Sequence, residues 1–233
     1  MTPILSSLPR WRGFNLLERY RHDWNVGDFR ESDFDWIAEW GFDFVRLPVS
    51  YRFWASDDPE RWLEIDQSAF GEIDRAIAMG RQRGIHVNLN LHRLPGYCVN
   101  PPAERLSLWD DPRALHAAAH HWGFIARRYR DIPSTVLSFN LLNEAPYFGE
   151  ERYAPVIRRL VDAVRTEDPH RLIIIDGLSH GNVPVESAVG WRVGLSTRGY
   201  TPMGVSHYKA NWVSGAENWP PPTWPCTLNT FVL

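Results

Sequence analysis

Apolar and polar positions follow two rhythms along this chain, and the rhythms take turns. A short strand-like run, GFNLL (13–17), comes first. ESDFDWIAEWG (31–41) then reads as a helix, with Ser32 and Asp35 in capping-box spacing and Gly41 as its stop. FDFVRLPVS (42–50) is a second strand, ended by Pro48. Residues 66–84 form a helix that puts Phe70, Ile73 and Ile77 on one face. IHVNLNLH (85–92) alternates strictly and predicts a third strand. Leu115, Ala119, Trp122, Ala126 and Tyr129 mark a third helix, and TVLSFNLL (135–142) a fourth strand. Tyr153, Val156, Ile157, Leu160, Val161 and Val164 define the apolar face of another helix, closed by Asp168-Pro169. RLIIIDG (171–177) is a fifth strand. Residues 178–199 have no clear period beyond a short helix near 184–190, and GVSHYK (204–209) reads as a sixth strand.

Near-continuous apolar strands separated by amphipathic helices imply a parallel sheet covered on both faces. A doubly wound nucleotide-binding sheet and a (β/α)8 barrel both satisfy this. The first wants a glycine-rich turn after an early strand, whereas MGRQRG (79–84) lies in and after a helix. Polar residues gather instead at the C-terminal ends of several strands: Asn15, Arg46, His92, Asn143 with Glu144, and His207 with Tyr208. A barrel builds its site at that one end. The expectation is therefore an α/β chain of (β/α)8 TIM-barrel type, a single domain over 1–233, with about six βα units. NWPPPTWPCTLNTFVL (218–233) is proline-rich and then unpatterned, and supplies no further units.

Composition narrows the partners. The chain has 233 residues, is 44% hydrophobic and carries a formal charge of −3, so there is material for one large core and no concentrated basic face. Nucleic acid is not expected. No apolar run approaches the roughly 20 residues of a membrane span. The N-terminus lacks a signal-peptide pattern, so the chain as written is expected in the cytoplasm, although a longer parent could be secreted. Cys98 and Cys226 are far apart and lack metal or redox spacing; a reduced pair is expected, and no cofactor or metal. Twelve tryptophans are many. Most are expected in the core, with a few available to pack on the C–H face of a sugar.

The chemistry centres on SFNLLNEAP (138–146). A carboxylate at the mouth of an apolar strand is partly desolvated, which favours its protonated form and suits a general acid. Asn143 beside it can bind a hydroxyl. Arg46, after a buried strand, can pair with a carboxylate at the same mouth. His92 at the end of strand three reads as a hydrogen-bonded structural group, and His207 and Tyr208 as orienting groups. Other chemistries lack their motifs: there is no G-x-S-x-G elbow, no H-E-x-x-H and no cysteine cluster. His116 and His120 share a helix face without a nearby helical carboxylate and are expected in solvent.

RGFNL, GFDFVRLPVSY, LNLHRLPGYCVN, SFNLLNEAP and VSHYKANWV occur in an order and spacing that resembles glycoside hydrolase family 5, the cellulase-type retaining β-glycosidases, over residues 12–225. LHRLPGYCVN also resembles the His-x-x-Pro-Gly-x-x-x-Asn pattern of the exo-glucanase branches. The resemblance implies hydrolysis of β-linked glucans or related polysaccharides, with Glu144 as acid/base and Asn143 at the sugar 2-hydroxyl. It implies Arg46 beside the nucleophile, His92, Asn100, His207 and Tyr208 as substrate-orienting groups, and Trp212 as a stacking platform, with Trp54 and Trp219 as weaker candidates. Asn-Glu-Ala-Pro departs from the usual Asn-Glu-Pro. The family's nucleophile, a Glu at the end of strand seven, has no counterpart in this chain, nor has the Trp of strand eight. Glu217 and Asp176 are poor substitutes. The alternative to hydrolysis is an inactive carbohydrate-binding barrel remnant. Open barrel edges would also invite self-association.

Overall fold

The computed structural model describes residues 8–23 and 27–224. The chain divides into two compact units, Met1–Thr197 and Arg198–Leu233. The first holds a curled sheet of parallel strands β1 (Gly13–Asn15), β2 (Phe44–Ser50), β3 (His86–Leu94), β5 (Leu137–Asn140), β6 (Ile173–Asp176) and β7 (Gly194–Ser196), hydrogen-bonded in that order, with β4 (Tyr97–Cys98) folded back antiparallel on β3. Helices α1 (Glu31–Glu39), α2 (Gly71–Gln82), α3 (Pro112–Tyr129) and α4 (Glu150–Glu167) connect them. Among the described residues this is an incomplete (β/α)8 barrel of six parallel strands, five of them where the alternating rhythms predict strands.

The alternation on β3 decides what faces where. Val87, Leu89 and Leu91 are fully buried on the face that meets the helices. Gly80 of α2 lets that helix settle on β3, because a Cβ there would lie 2.7 Å from the Val87 side chain. His86, Asn88, Asn90 and His92 point the other way, and their partners are polar too. Register sets Arg46 beside Asn88, Asn88 beside Ser138, and Asn90 beside Asn140. The enclosed face is therefore threaded by amide and hydroxyl bonds, such as Asn88 Nδ2 to Ser138 Oγ at 2.8 Å. Buried polar groups are tolerated there because they are hydrogen-bonded.

α3 and α4 pack against each other outside the sheet, and Trp122, Ile125, Ile157 and Leu160 on them are fully buried. Asp111 caps α3 by accepting from the Arg113 N–H, with Pro112 in its first turn. Trp122 also donates its indole N–H to the Leu141 carbonyl at 3.0 Å, which fixes the chain just before Asn143 and Glu144. Gly41 ends α1 with φ +75°.

At the opposite end of the sheet, Arg171 is 1% exposed and fully engaged. It donates to Asp168, to the Leu137 carbonyl at 2.7 Å, and to the Tyr129 and Ile132 carbonyls at 2.7 and 2.8 Å. Arg171→Leu strands these carbonyls and the Asp168 carboxylate. A loss of roughly 3–5 kcal/mol is expected, read as a lower urea midpoint. An unchanged midpoint would show that the cluster does not hold the strand ends.

Several elements differ from the sequence reading. Pro48 does not end β2; it lies buried within it, and the register irregularity falls just beyond, between Val49 and Ser50. β3 runs past His92 to Leu94. α1 begins after Arg30, without a side-chain cap from Ser32. The sixth parallel strand is Gly194–Ser196, not 204–209; Met203–Ser206 is instead a single helical turn, closed by His207 N–H to Met203 O at 2.9 Å. His207 and Tyr208 thus follow a helical turn and end no strand. Residues 186–188 form one 3-10 turn. Trp54, a candidate sugar platform, is 2% exposed and donates to His121, so it is core. His116 and His120 are exposed, as expected, while His121 is buried. Cys98 has no disulfide partner among the described residues, and Cys226 lies outside them. No helix among the described residues is long and apolar enough to cross a membrane.

Candidate active site

Of the residues singled out in the sequence, Arg46 from within β2 meets Asn143 just beyond the end of β5, and Glu144 follows Asn143 directly. Arg46 leaves the middle of β2 and reaches across β3. Its Nε and Nη2 donate to Asn140 Oδ1 at 3.1 and 2.8 Å, and Nη2 also donates to Asn143 Oδ1 at 2.9 Å. Its Nη1 lies 3.4 Å from Asn15 Oδ1, so β1 joins the same cluster. The planar fork of a guanidinium suits this multiple grip. Because the Asn143 oxygen accepts from Arg46, any donation by that amide comes from its Nδ2. Asn143 is 4% exposed and Asn140 2%.

Glu144 is half-buried and follows directly. Its φ of +54° puts it in the left-handed region, uncommon for a residue with a side chain. Its N–H donates to Asp176 Oδ2 at 2.8 Å, and its carbonyl accepts from the Tyr97 hydroxyl. Asp176, at the end of β6, is fully buried and also accepts from Asn140 Nδ2 at 3.0 Å.

A second group lies along β3 and its hairpin. His92 Nε2 donates to Asn100 Oδ1 at 3.0 Å, and the His92 ring meets Tyr20 edge-on at 4.6 Å. Arg93, on the opposite side of the strand, holds the loop that carries Asn100. It donates to the Asn100 and Pro102 carbonyls at 2.9 and 3.0 Å and pairs with Glu104. Glu104 is itself buried, accepting from Arg52 at 3.0 Å and from the Tyr51 hydroxyl at 2.7 Å. Burial pushes the Tyr20 phenol above its ordinary pKa, and the Cys98 and Glu144 side chains add to the shift. That coupling places Tyr20 within electrostatic reach of Glu144. Burial likewise raises the Tyr97 phenol, which suits its role as a donor.

In the second unit, the His207 ring meets Tyr200 at 5.0 Å and Trp212 at 6.4 Å, both edge-on, and Ser206 Oγ lies 2.8 Å from His207 Nδ1. The Lys209 ammonium lies over the Tyr208 ring. Trp212 is 75% exposed. Trp219 is half-buried and Glu217 is exposed, on a 3-10 turn over Ala216–Asn218. No group of acidic, His or Cys side chains among the described residues could hold a metal ion.

Sequence reasoning passed over Asn140, Tyr97, Tyr20 and the bonding of Asp176. A signal for Asn140 was present: Ser138 and Asn140 alternate with apolar neighbours in step with Asn88 and Asn90. Tyr97 and Tyr20 carried none.

A half-built βα barrel with an Arg–Asn–Asn–Glu cluster at its C-terminal strand ends defines a recognisable class. The family model for cellulase (glycosyl hydrolase family 5) matches residues 7–214. Endoglucanase C of Acetivibrio thermocellus is 29% identical over 191 residues, which are 80% of this chain and 54% of that protein. A solved glycoside hydrolase superposes with a TM-score of 0.86 at 39% identity, covering 92% of this chain and 67% of the other. Endoglucanase Cel5A of Thermotoga maritima gives 0.75 at 26%, covering 93% and 69%. The chain belongs to glycoside hydrolase family 5. It spans about half the length of the endoglucanases it matches.

Proposed function

We propose that this chain carries the acid/base half of a site that hydrolyses O-glycosidic bonds in β-linked glucans with retention. The observation that carries this reading is Glu144 just beyond the end of β5, next to Asn143, whose side-chain oxygen accepts from Arg46 at 2.9 Å. In the retaining reaction Glu144 protonates the leaving glycosidic oxygen while a second carboxylate attacks the anomeric carbon. Glu144 then deprotonates the water that releases the sugar. Asn143 Nδ2 donates to the sugar 2-hydroxyl. His92 and Asn100, coupled to each other, orient the same ring. Solved complexes of the Thermotoga Cel5A contain mannotriose and cellobiose, which supports a β-linked oligosaccharide as the ligand.

The second carboxylate must lie about 5–5.5 Å from the first. Asp176 is buried and occupied by Asn140 and by the Glu144 main chain. Glu217 is the sole acidic residue after Thr197 and belongs to the other unit. We assign the nucleophile to neither. The chain is therefore expected to bind β-linked oligosaccharides and to turn them over when an external anion such as azide takes the nucleophile's place. The test is release of phenol from an aryl β-cellobioside with and without azide, for the chain and its Glu144→Gln variant. Azide-dependent release that needs Glu144 supports the reading. No oligosaccharide binding and no azide-supported release would sink it.

A further inference from the structure

We propose that Asp176 and Tyr97 are positioning residues that clamp the main chain of Glu144, and that Asp176 also sets which way the Asn140 amide faces. The inference rests on the reading of Glu144 as the acid/base.

Glu144 sits at φ +54°. A side-chain-bearing residue persists in that region where its surroundings hold it there. Here both ends of its peptide are held by side chains from other strands. The N–H goes to Asp176 of β6 at 2.8 Å, and the carbonyl accepts from Tyr97 of β4. Asp176 is in turn anchored from α4, since the Tyr153 hydroxyl donates to its carbonyl. The direction of a side chain follows from its backbone, so this clamp aims the Glu144 carboxyl.

The second half of the proposal concerns polarity. A carboxylate only accepts hydrogen bonds, and a guanidinium only donates. Asn140 lies between one of each. Its Nδ2 donates to Asp176 Oδ1 at 3.0 Å, and its Oδ1 accepts twice from Arg46. With Asp at 176 the amide has one consistent orientation, and Arg46 is presented to Asn143. An amide at 176 offers one acceptor to two donors, the Asn140 Nδ2 and the Glu144 N–H. Whichever bond it keeps, the other donor is lost, or Asn140 inverts and turns its Nδ2 against Arg46.

Crystal structures of the Asp176→Asn and Tyr97→Phe variants test the clamp without any turnover. In Asp176→Asn, Glu144 is expected to leave the left-handed region, and Arg46 to shift from Asn140 or Asn143. In Tyr97→Phe the Glu144 peptide is expected to move while Arg46 stays. Glu144 still near φ +54° in both variants, with Arg46 still bonded to both amides in Asp176→Asn, would overturn the proposal. If Asp176→Asn does not fold, an unmoved Glu144 peptide in Tyr97→Phe overturns it. The kinetic arm compares leaving groups under azide. Asp176→Asn is expected to slow phenol release about 100-fold, as a misaimed acid should. Dinitrophenol, which leaves without a proton, should change little, and KM should hold. An equal loss on both substrates would mean general damage to the fold and would count against positioning. If the unaltered chain gives no azide-supported turnover, the functional reading falls, and the two crystal structures still decide the clamp.

Discussion

Replacing Glu144 with Gln is expected to slow azide-supported phenol release from phenyl β-cellobioside by about 10²- to 10⁴-fold, the range general acid catalysis supplies. Release of dinitrophenol should be nearly unchanged, because that leaving group departs as a stable anion. The contrast matters more than either rate. Gln fills the space of Glu, keeps the Asp176 and Tyr97 contacts, which are to the main chain, and removes only the proton that can be transferred. A merely structural Glu144 would give equal rates on both substrates, or an equal loss on both. Parallel rate measurements on the two glycosides decide between these outcomes.

The second large effect is on stability in acid. Two buried histidines are held neutral. His121 donates from Nε2 to the Trp62 carbonyl at 2.7 Å and accepts the Trp54 indole N–H at Nδ1, at 3.1 Å. His86 donates from Nδ1 to the Thr135 carbonyl at 3.1 Å and accepts from Ser138 Oγ at 2.7 Å. Both rings have one donor and one acceptor in use, which is the neutral tautomer's full complement. Burial pushes each pKa down to about 4, partly opposed by the backbone hydrogen bond each ring donates.

For a base whose folded pKa is depressed, the unfolded chain binds the proton first. The stability from these two rings is therefore complete above pH 6.5. It is lost as pH falls from 6.5 towards 4, by roughly 3 kcal/mol for each ring. Urea midpoints at pH 7, 6 and 5 should fall steadily, well before most carboxylates titrate. His121→Gln keeps one donor and one acceptor but cannot take up the proton, so its midpoint should fall less steeply with pH. A midpoint flat between pH 7 and 5 would contradict the neutral assignment.

Much of this site was legible because a barrel exposes its chemistry where strands end. Asn143 and Glu144 close an apolar run, whereas Arg46 lies inside β2 with Leu47, Pro48 and Val49 buried after it, and the structure joins Arg46 to Asn143. His92 and Asn100 share one loop motif and do meet. The misplaced sixth strand has a physical reason. Gly194–Ser196 is three residues long and follows Gly190 and Arg192, so its period never develops. Residues 204–209 alternate convincingly, but local helical bonding from Met203 wins over pairing with a sheet. The role of Asp176 was hidden for a different reason. An Asp before Gly reads as a cap or a turn, and its partner, the Glu144 N–H, is 32 residues away in sequence. Only the register of β5 against β6 brings them together.

The most direct test of the central claim is the stereochemistry of the azide product. The 233-residue chain, given dinitrophenyl β-cellobioside and azide, should yield the α-glycosyl azide. An external anion then attacks the anomeric carbon on the face opposite the leaving group, in a single inverting step, beside an intact Glu144. Hydrolysis without azide in the chain, together with β-glycosyl azide from the Glu144→Gln variant, would contradict the account. It would place a working second carboxylate in the chain or in a paired copy of it.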